Sequence, residues 1–300
     1  MAFKFSVRRQ PKRGFAPSAM PTQWLESSYA EIAWEKSRHA ASRWAFAGVA
    51  VGLLAGFVAF LPAAWLASAV TSATNQRVQL ADARGTVWSG SAMVVLTGGP
   101  DSRDASALPG RIDWTLGWQG LGFELRARQA CCLNGTVVLQ MRPGFGRMST
   151  TLLPKPDWIG QWPAAFLGGL GTPWNTLQLG GSVRLSSPGL RIDSVQGRVL
   201  VDGRADIDIV RASSRVSTLE TLGSYRMTLA GDAAQAGGPS QLTLTTLAGP
   251  LQLSGSGSVG QNGVRFRGEA RANEGDESAL SNLLNIIGRR DGARSVISIG

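Results

Sequence analysis

The chain has 300 residues, of which 43% are hydrophobic, and its 30 Lys and Arg against 20 Asp and Glu give a net charge of +10. This hydrophobic content excludes a wholly disordered chain, and 38 Gly with 14 Pro argue against a helical bundle. His39 is the single histidine, and the chain has only two cysteines. This composition excludes histidine-based catalysis in the rest of the chain and a zinc site made of histidines or CxxC pairs. No basic stripe with interleaved aromatic residues indicates a nucleic-acid partner.

A basic N-terminal segment precedes a long apolar run. Residues 1–43 carry eight basic and three acidic side chains, and their aperiodic, proline-containing start predicts a partly disordered tail. Residues 44–70 carry no charge and are predominantly apolar. This run is long enough to cross a bilayer core, which takes roughly 20 apolar residues. We therefore expect a transmembrane helix over 44–70, surrounded by lipid, with Trp44 and Trp65 near its interfaces and a kink at Pro62.

The charges that flank the apolar run predict its orientation. Lys36, Arg38 and Arg43 precede it, and a single arginine follows at comparable distance. By the positive-inside rule, residues 1–43 are expected in the cytoplasm and residues 71–300 in the exported compartment, the periplasm of a Gram-negative cell. A small-x-small pattern near the end of the run leaves cleavage as an alternative. An uncleaved anchor is favoured because the run and the segment before it are too long for a usual signal peptide.

Beyond residue 70 the sequence changes to short apolar–polar alternations separated by glycine-containing turns. In 198–210, most odd positions are apolar and most even positions are Arg or Asp, which predicts a strand with one polar face. Asp202-Gly203 predicts a tight hairpin turn there, and Gln261-Asn262-Gly263 predicts a second. Further strands are expected at 77–83, 86–97, 110–118, 121–130, 136–141, 177–186, 189–194, 224–230, 240–247 and 249–258. The fold class is therefore mainly β, with an antiparallel curled sheet or sandwich.

One or two short helices are expected within this β-rich part, 71–300. Residues 161–170 form a short segment that ends in glycine, and residues 277–287 place apolar side chains at i, i+3, i+4 and i+7. The apolar positions change parity within 245–250, so a bulge or turn is expected there. The proline-bounded segment 154–173 is the best internal domain boundary.

The cysteines and aspartates are the remaining candidates for chemistry. Successive strand residues point to opposite faces, so a disulfide between Cys131 and Cys132 would need a strained turn. Two buried thiols are therefore the favoured interpretation, and pairing with another protomer stays open. Asp202, Asp206 and Asp208 share one strand face, where a solvated surface explains them better than acid–base chemistry or a cation site. We predict no catalytic, metal-binding or cofactor-binding residue and no enzymatic activity.

Three short stretches resemble one family. Ala83–Ala92 reads Ala-Arg-Gly-Thr-Val-Trp-Ser-Gly-Ser-Ala, which resembles the G-T-x-W-x-G-x-A motif of the type II secretion system protein N family. A G-x-[IL]-x-W strand follows at Gly110–Trp114, and a form of L-x-G-x-V-x-L, shifted by one residue, occurs at Leu179–Leu185. Ser281–Gly300 also resembles the C-terminal end of the family. The resemblance covers about 77–300.

The motif residues Gly85, Thr86, Trp88, Gly90 and Trp114 have structural roles in this interpretation. Gly85 and Gly90 bracket a short strand and allow backbone turns that a Cβ would obstruct. Trp88 supplies apolar area at the middle of that strand. The resemblance transfers no catalytic residue to this sequence, and the long cytoplasmic segment departs from the short leader that the family implies.

The resemblance implies an accessory inner-membrane component of the type II secretion machine, which exports folded periplasmic proteins through an outer-membrane secretin. We expect a sheet domain that docks to other inner-membrane subunits through its strand edges, and a homo-oligomer stays open. The alternative is a similarity to AsmA-like envelope proteins, whose sheets form an apolar groove that handles lipid. That alternative requires one sheet face to be apolar and uncovered.

Overall fold

The computed structural model of the chain describes residues 44–195, 198–231, 240–260 and 263–300; the predicted cytoplasmic tail lies outside them. The chain divides into two units, the first ending at Ala59 and the second running from Phe60 to Gly300. In the first unit, helix α1 occupies 44–59, and nearly all of its side chains are exposed.

The predicted membrane segment 44–70 is divided between two helices. Pro62 has extended backbone (φ −62°, ψ 145°) and precedes helix α2, Ala63–Ala73; a proline at this position removes a helical N–H donor and ends the preceding helix. In the second unit, the first residue of α2 is buried and packs beside Trp114. Among the described residues, no helix combines the length and apolar character that a membrane crossing requires. The transmembrane helix therefore stays a prediction.

The second unit is built on strands. They are β1 (Val78–Gly85), β2 (Ser89–Thr97), β3 (Ala105–Ala107), β4 (Ile112–Gln119), β5 (Gly122–Arg128), β6 (Val137–Gly144), β7 (Arg147–Leu152), β8 (Trp158–Pro163), β9 (Leu179–Val195), β10 (Arg198–Ser214), β11 (Gly223–Gly231), β12 (Ser240–Ala248), β13 (Leu251–Gly260), β14 (Gly263–Ala272), β15 (Arg289–Asp291) and β16 (Arg294–Ile299).

These 16 strands form one antiparallel sheet in the part of the chain that the structure describes. Their order is β1-β2-β4-β5-β6-β7-β9-β10-β11-β12-β13-β14-β16-β15, with β3 paired to β2 and β8 paired to β9. The prediction of a mainly β, antiparallel fold is confirmed, and the strands form a single sheet rather than the two sheets of a sandwich.

The alternation in 198–210 does mark a strand, but the hairpin predicted at Asp202-Gly203 is wrong. β10 continues through both residues and stays paired with β9. Gly203 has φ +94°, and the register shifts between Arg204 and Asp206. The glycine therefore belongs to an irregularity inside a long strand pair rather than to a turn.

Most other local predictions agree with the structure. Helix α4 spans Glu277–Ile287. The bulge or turn expected within 245–250 is present as a register shift between Thr246 and Ala248 in β12, followed by the turn before β13. The hairpin predicted around 261–263 is present as the pairing of β13 with β14, although its two turn residues lie outside the described ones. The helix expected over 161–170 is wrong in its first part, because β8 extends to Pro163 and a 3₁₀ helix occupies only Ala164–Leu170.

Strand pairing collects the apolar side chains on one face of the sheet. Directly paired residues of neighbouring strands project to the same side. One such row crosses from β9 to β12 and contains Leu185, Ile207, Met227 and Leu244. The next row projects to the other side and contains Arg184, Asp208, Arg226 and Thr245. We call these sides the apolar face and the outer face.

The two ends of the sheet also differ. In an antiparallel sheet, the turns that follow alternate strands share one end. The turns at 86–88, 120–121 and 145–146 therefore lie together with the C-terminus, and we call this the tip end. Helices α3 (Trp174–Leu177) and α4 lie at the opposite end, where α4 contributes three buried leucines to the larger hydrophobic core.

Candidate functional site: an open sheet with an apolar face

Gly85 is the last residue of β1 and pairs with Gly90 of β2. The residues between these strands, 86–88, form a turn rather than the short strand expected there. Gly85 has φ +88°, and a Cβ on it would lie 2.5 Å from the Ser89 carbonyl oxygen. A Cβ on Gly90 would lie 2.6 Å from Cζ2 of Trp114, so the bare glycine lets the indole lie across the strand. Trp114 is 5% exposed, and its Nε1–H donates to the Val87 carbonyl at 3.1 Å. The indole therefore holds the turn in place.

The side chain of Thr86 contributes to this turn, whereas the ring of Trp88 packs with other aromatic rings. The backbone N–H of Thr86 donates to the Ser89 carbonyl at 2.8 Å, and its hydroxyl accepts from the Ser89 N–H at 3.1 Å. The Trp88 ring instead lies 6.4 Å from that of Trp118 and 6.5 Å from that of Phe123. The structure thus brings four motif residues together and places the fifth in an aromatic group at the tip end.

An apolar groove lies on the C-terminal half of the apolar face. Its cavity of about 550 Å³ extends from β10 to β16 and is walled by side chains such as Met227, Leu244 and Phe266. A second apolar cavity of about 390 Å³ shares Met227 and Leu244 and continues toward the 3₁₀ helix. Helix α4 covers the groove at its own end, and Ile207 and Val264 on the groove wall are exposed. The groove can accept an apolar chain or side chain.

On the outer face, Asp206 and Asp208 of β10 are paired with arginines. Arg226 donates two hydrogen bonds to Asp208, at 2.7 and 2.8 Å, and Arg204 and Thr228 both donate to Asp206. Burial raises the pKa of Asp206, but these two hydrogen bonds and the positive charges of Arg204 and Arg226 together outweigh burial and hold the pKa below its usual value. No cluster of three or more His, Cys, Asp or Glu in the described ranges could hold a metal ion.

Acid is expected to destabilise the sheet through Asp206. Because its folded-state pKa lies below the unfolded value, which is about 3.9, the carboxylate stabilises the fold above that pH. This contribution is lost as the pH falls through the folded-state pKa. Replacement by asparagine should lower the urea midpoint at neutral pH and weaken its fall in acid. The exposed Asp157, replaced in the same way, is the matched control; an unchanged acid dependence in Asp206→Asn would contradict the prediction.

The two lateral edges of the sheet differ in their readiness to pair. At the β1 edge, Asp82 has φ +48° and interrupts the register, and Arg84 and Arg111 both form ion pairs with its carboxylate. Bulges and charges of this kind discourage the addition of a strand. At the other edge, β15 pairs with β16 only as far as Val296. Residues 297–299 pair with β14 alone among the described strands.

Cys131 and Cys132 are joined in a vicinal disulfide, so the expectation of two buried thiols is wrong. The pair lies in a turn after β5, and the alternation of side chains along a strand therefore does not apply to it. Cys132 is buried, whereas Cys131 is exposed.

Comparison with known proteins agrees with the motif. The family model described as type II secretion system (T2SS), protein N, matches residues 76–297, a range that contains all five motif residues and nearly the whole sheet. No curated protein and no solved structure shows significant similarity to the chain. The match confirms the family that the motif suggested: the chain belongs to the type II secretion system protein N family and is a component of that secretion system.

Proposed function

We propose that this chain is a non-enzymatic docking subunit of the type II secretion machine at the inner membrane. The family match over 76–297 is the observation that carries the proposal. In this role the part of the predicted run 44–70 that precedes Pro62 anchors the chain in the membrane, with residues 1–43 in the cytoplasm and the sheet in the periplasm. The positive flank of the run supports this orientation.

The docking mode that we propose is strand addition at the β16 edge. An extended segment of another inner-membrane subunit would pair with 297–299, and alternate side chains would reach the apolar face and the outer face. Ile299 on the apolar face is exposed and lines the groove, so an incoming strand could bury apolar side chains beside it. The contrast with the bulged and charged β1 edge supports this choice.

Photo-crosslinking in intact cells tests this mode. A photoreactive residue at Ser298, an exposed position of β16, should form an adduct with another inner-membrane subunit of the secretion machine. The same residue at Thr243, exposed on the outer face of the internal strand β12, is the matched control and should form none. An adduct only with a second copy of this chain would identify a homo-oligomer, and no adduct together with normal secretion after gene deletion would refute docking.

The alternative function, lipid handling by an AsmA-like protein, is supported by the apolar groove but not by the comparisons with known proteins. An uncovered apolar face is what lipid handling would require, and the groove provides it. The comparisons support the secretion family and give no support to the alternative. Mass spectrometry of the purified full chain decides between them, because lipid handling predicts stoichiometric co-purified phospholipid that is displaced when Met227→Glu introduces a charge into the groove.

A further inference from the structure

Two hairpin turns at the tip end present large apolar side chains to solvent. Leu121, between two glycines in the turn after β4, is 97% exposed, and Phe145, also between two glycines, has an exposure of 110% of its reference area. Turns of this kind usually contain polar residues. The absence of any covering contact in the described chain means that neither side chain stabilises the fold, so a contact outside the fold explains them better.

These two side chains continue a row of apolar groups along the tip end. Trp118, on β4 beside the first turn, is 72% exposed, and its ring centroid lies 4.3 Å from that of Phe123. Trp88 adjoins both rings. On β7, Met148 is exposed close to Phe145 in sequence. An exposed apolar area of this extent on one end of a domain marks an interaction site.

The chain enters the second unit at this same end. The carbonyl of Leu61 accepts a hydrogen bond from the N–H of Val87 at 2.9 Å, and Pro62 forms a bridge with Thr86. The last residue of α1, Ala59, is only three residues before Pro62, a length of chain that spans at most roughly 11 Å. If α1 lies in a bilayer, this short link keeps the β1–β2 turn, which belongs to the tip end, within reach of the surface of that bilayer.

The charges beside the apolar tips also suit a lipid surface. Arg142 and Arg147, on either side of the turn that carries Phe145, are exposed, and Arg147 shares an ion pair of 3.1 Å with Asp193. Long cationic side chains beside aromatic rings can place their apolar stems among acyl chains and their charges among anionic headgroups. The same charges would disfavour an interface with a wholly apolar protein surface.

We propose that Leu121 and Phe145 insert into the boundary between headgroups and acyl chains of the bilayer that anchors the chain, with Arg142 among the headgroups. This inference rests on the membrane anchoring proposed above and adds a second, peripheral contact to it. The tip end of the sheet then contacts the membrane.

Environment-sensitive fluorescence on the full chain tests this contact. The variants Leu121→Cys and Phe145→Cys each add one free cysteine to the disulfide-bonded pair Cys131–Cys132, and this cysteine carries a nitrobenzoxadiazole label, with unsubstituted protein as the labelling blank. They are reconstituted in vesicles of phosphatidylcholine with a minority of phosphatidylglycerol. The expected result is a blue shift and a loss of iodide quenching at both positions. Asp101→Cys, an exposed site at the opposite end, should stay fully quenched.

A label in α1 separates the two ways in which the proposal can fail. If Val51→Cys is protected from iodide while positions 121 and 145 are quenched like position 101, the anchor holds and tip insertion is overturned. If position 51 is also quenched, membrane anchoring fails and the inference fails with it. Adding Arg142→Glu to Phe145→Cys should restore quenching more strongly with phosphatidylglycerol than without it; an equal effect in both would overturn the role of Arg142.

Discussion

Replacing Trp114 by alanine is expected to lower the free energy of unfolding by about 3–5 kcal/mol, the usual cost of removing a buried tryptophan. Its indole is buried against Ala63 of α2 and Ala92 of β2, and it holds the β1–β2 turn through the Val87 carbonyl. The substitution therefore removes one side chain that joins three elements. Urea unfolding followed by far-ultraviolet circular dichroism measures the loss as a shift in midpoint at constant slope.

The variant Trp114→Phe separates packing from hydrogen bonding. Phenylalanine keeps much of the apolar volume but cannot donate to Val87, so we expect a loss of only about 1 kcal/mol. If the alanine and phenylalanine variants were equally stable, the proposed packing role of the indole would be refuted. If the phenylalanine variant matched the native protein, the hydrogen bond would contribute nothing.

Replacing Leu280 by alanine is expected to cost about 2–5 kcal/mol, because it opens a cavity in a buried leucine cluster. Leu280 is fully buried between α4 and the sheet, together with Leu251 and Leu284. The same helix covers one end of the groove. We therefore expect the urea midpoint to fall and the binding of an apolar fluorescent dye to rise before global unfolding.

Ile286→Ala on the same helix is the matched control. Ile286 is exposed, so its truncation should change stability by about 0.5 kcal/mol or less. Alanine also has a higher helix propensity than isoleucine, so a loss as large as that of Leu280→Ala would contradict the argument from burial. A negligible effect of Leu280→Ala would show that α4 does not need its buried face to stay on the sheet.

The hairpins and α4 could be predicted because their signals are local. Apolar spacing alone gives the bounds of α4, and the alternation in 198–210 gives β10 and its polar face. The turn at Asp202-Gly203 could not be predicted correctly, because Asp-Gly fits both a hairpin turn and an irregular strand. The choice depends on β9, a partner strand of 17 residues that stays paired across the site.

The candidate docking surfaces could be predicted only in part. Alternation in β10 indicates an apolar face, but whether that face is covered depends on pairing between distant strands. The tips were missed although a signal exists, since Gly120-Leu121-Gly122 and Gly144-Phe145-Gly146 place an apolar residue where a turn residue belongs. The apolar run around Pro62 is likewise interpreted as one kinked helix. The sequence alone does not show that Ala63 packs against the sheet, which becomes evident only in the fold.

The strand order follows the chain order almost throughout, and this has a consequence for assembly. Each new strand finds its partner in a segment made shortly before it, so contacts are short in sequence and loop closure is entropically cheap. The sheet can therefore lengthen by one strand at a time, starting beside α2 and finishing with the edge that would receive a partner.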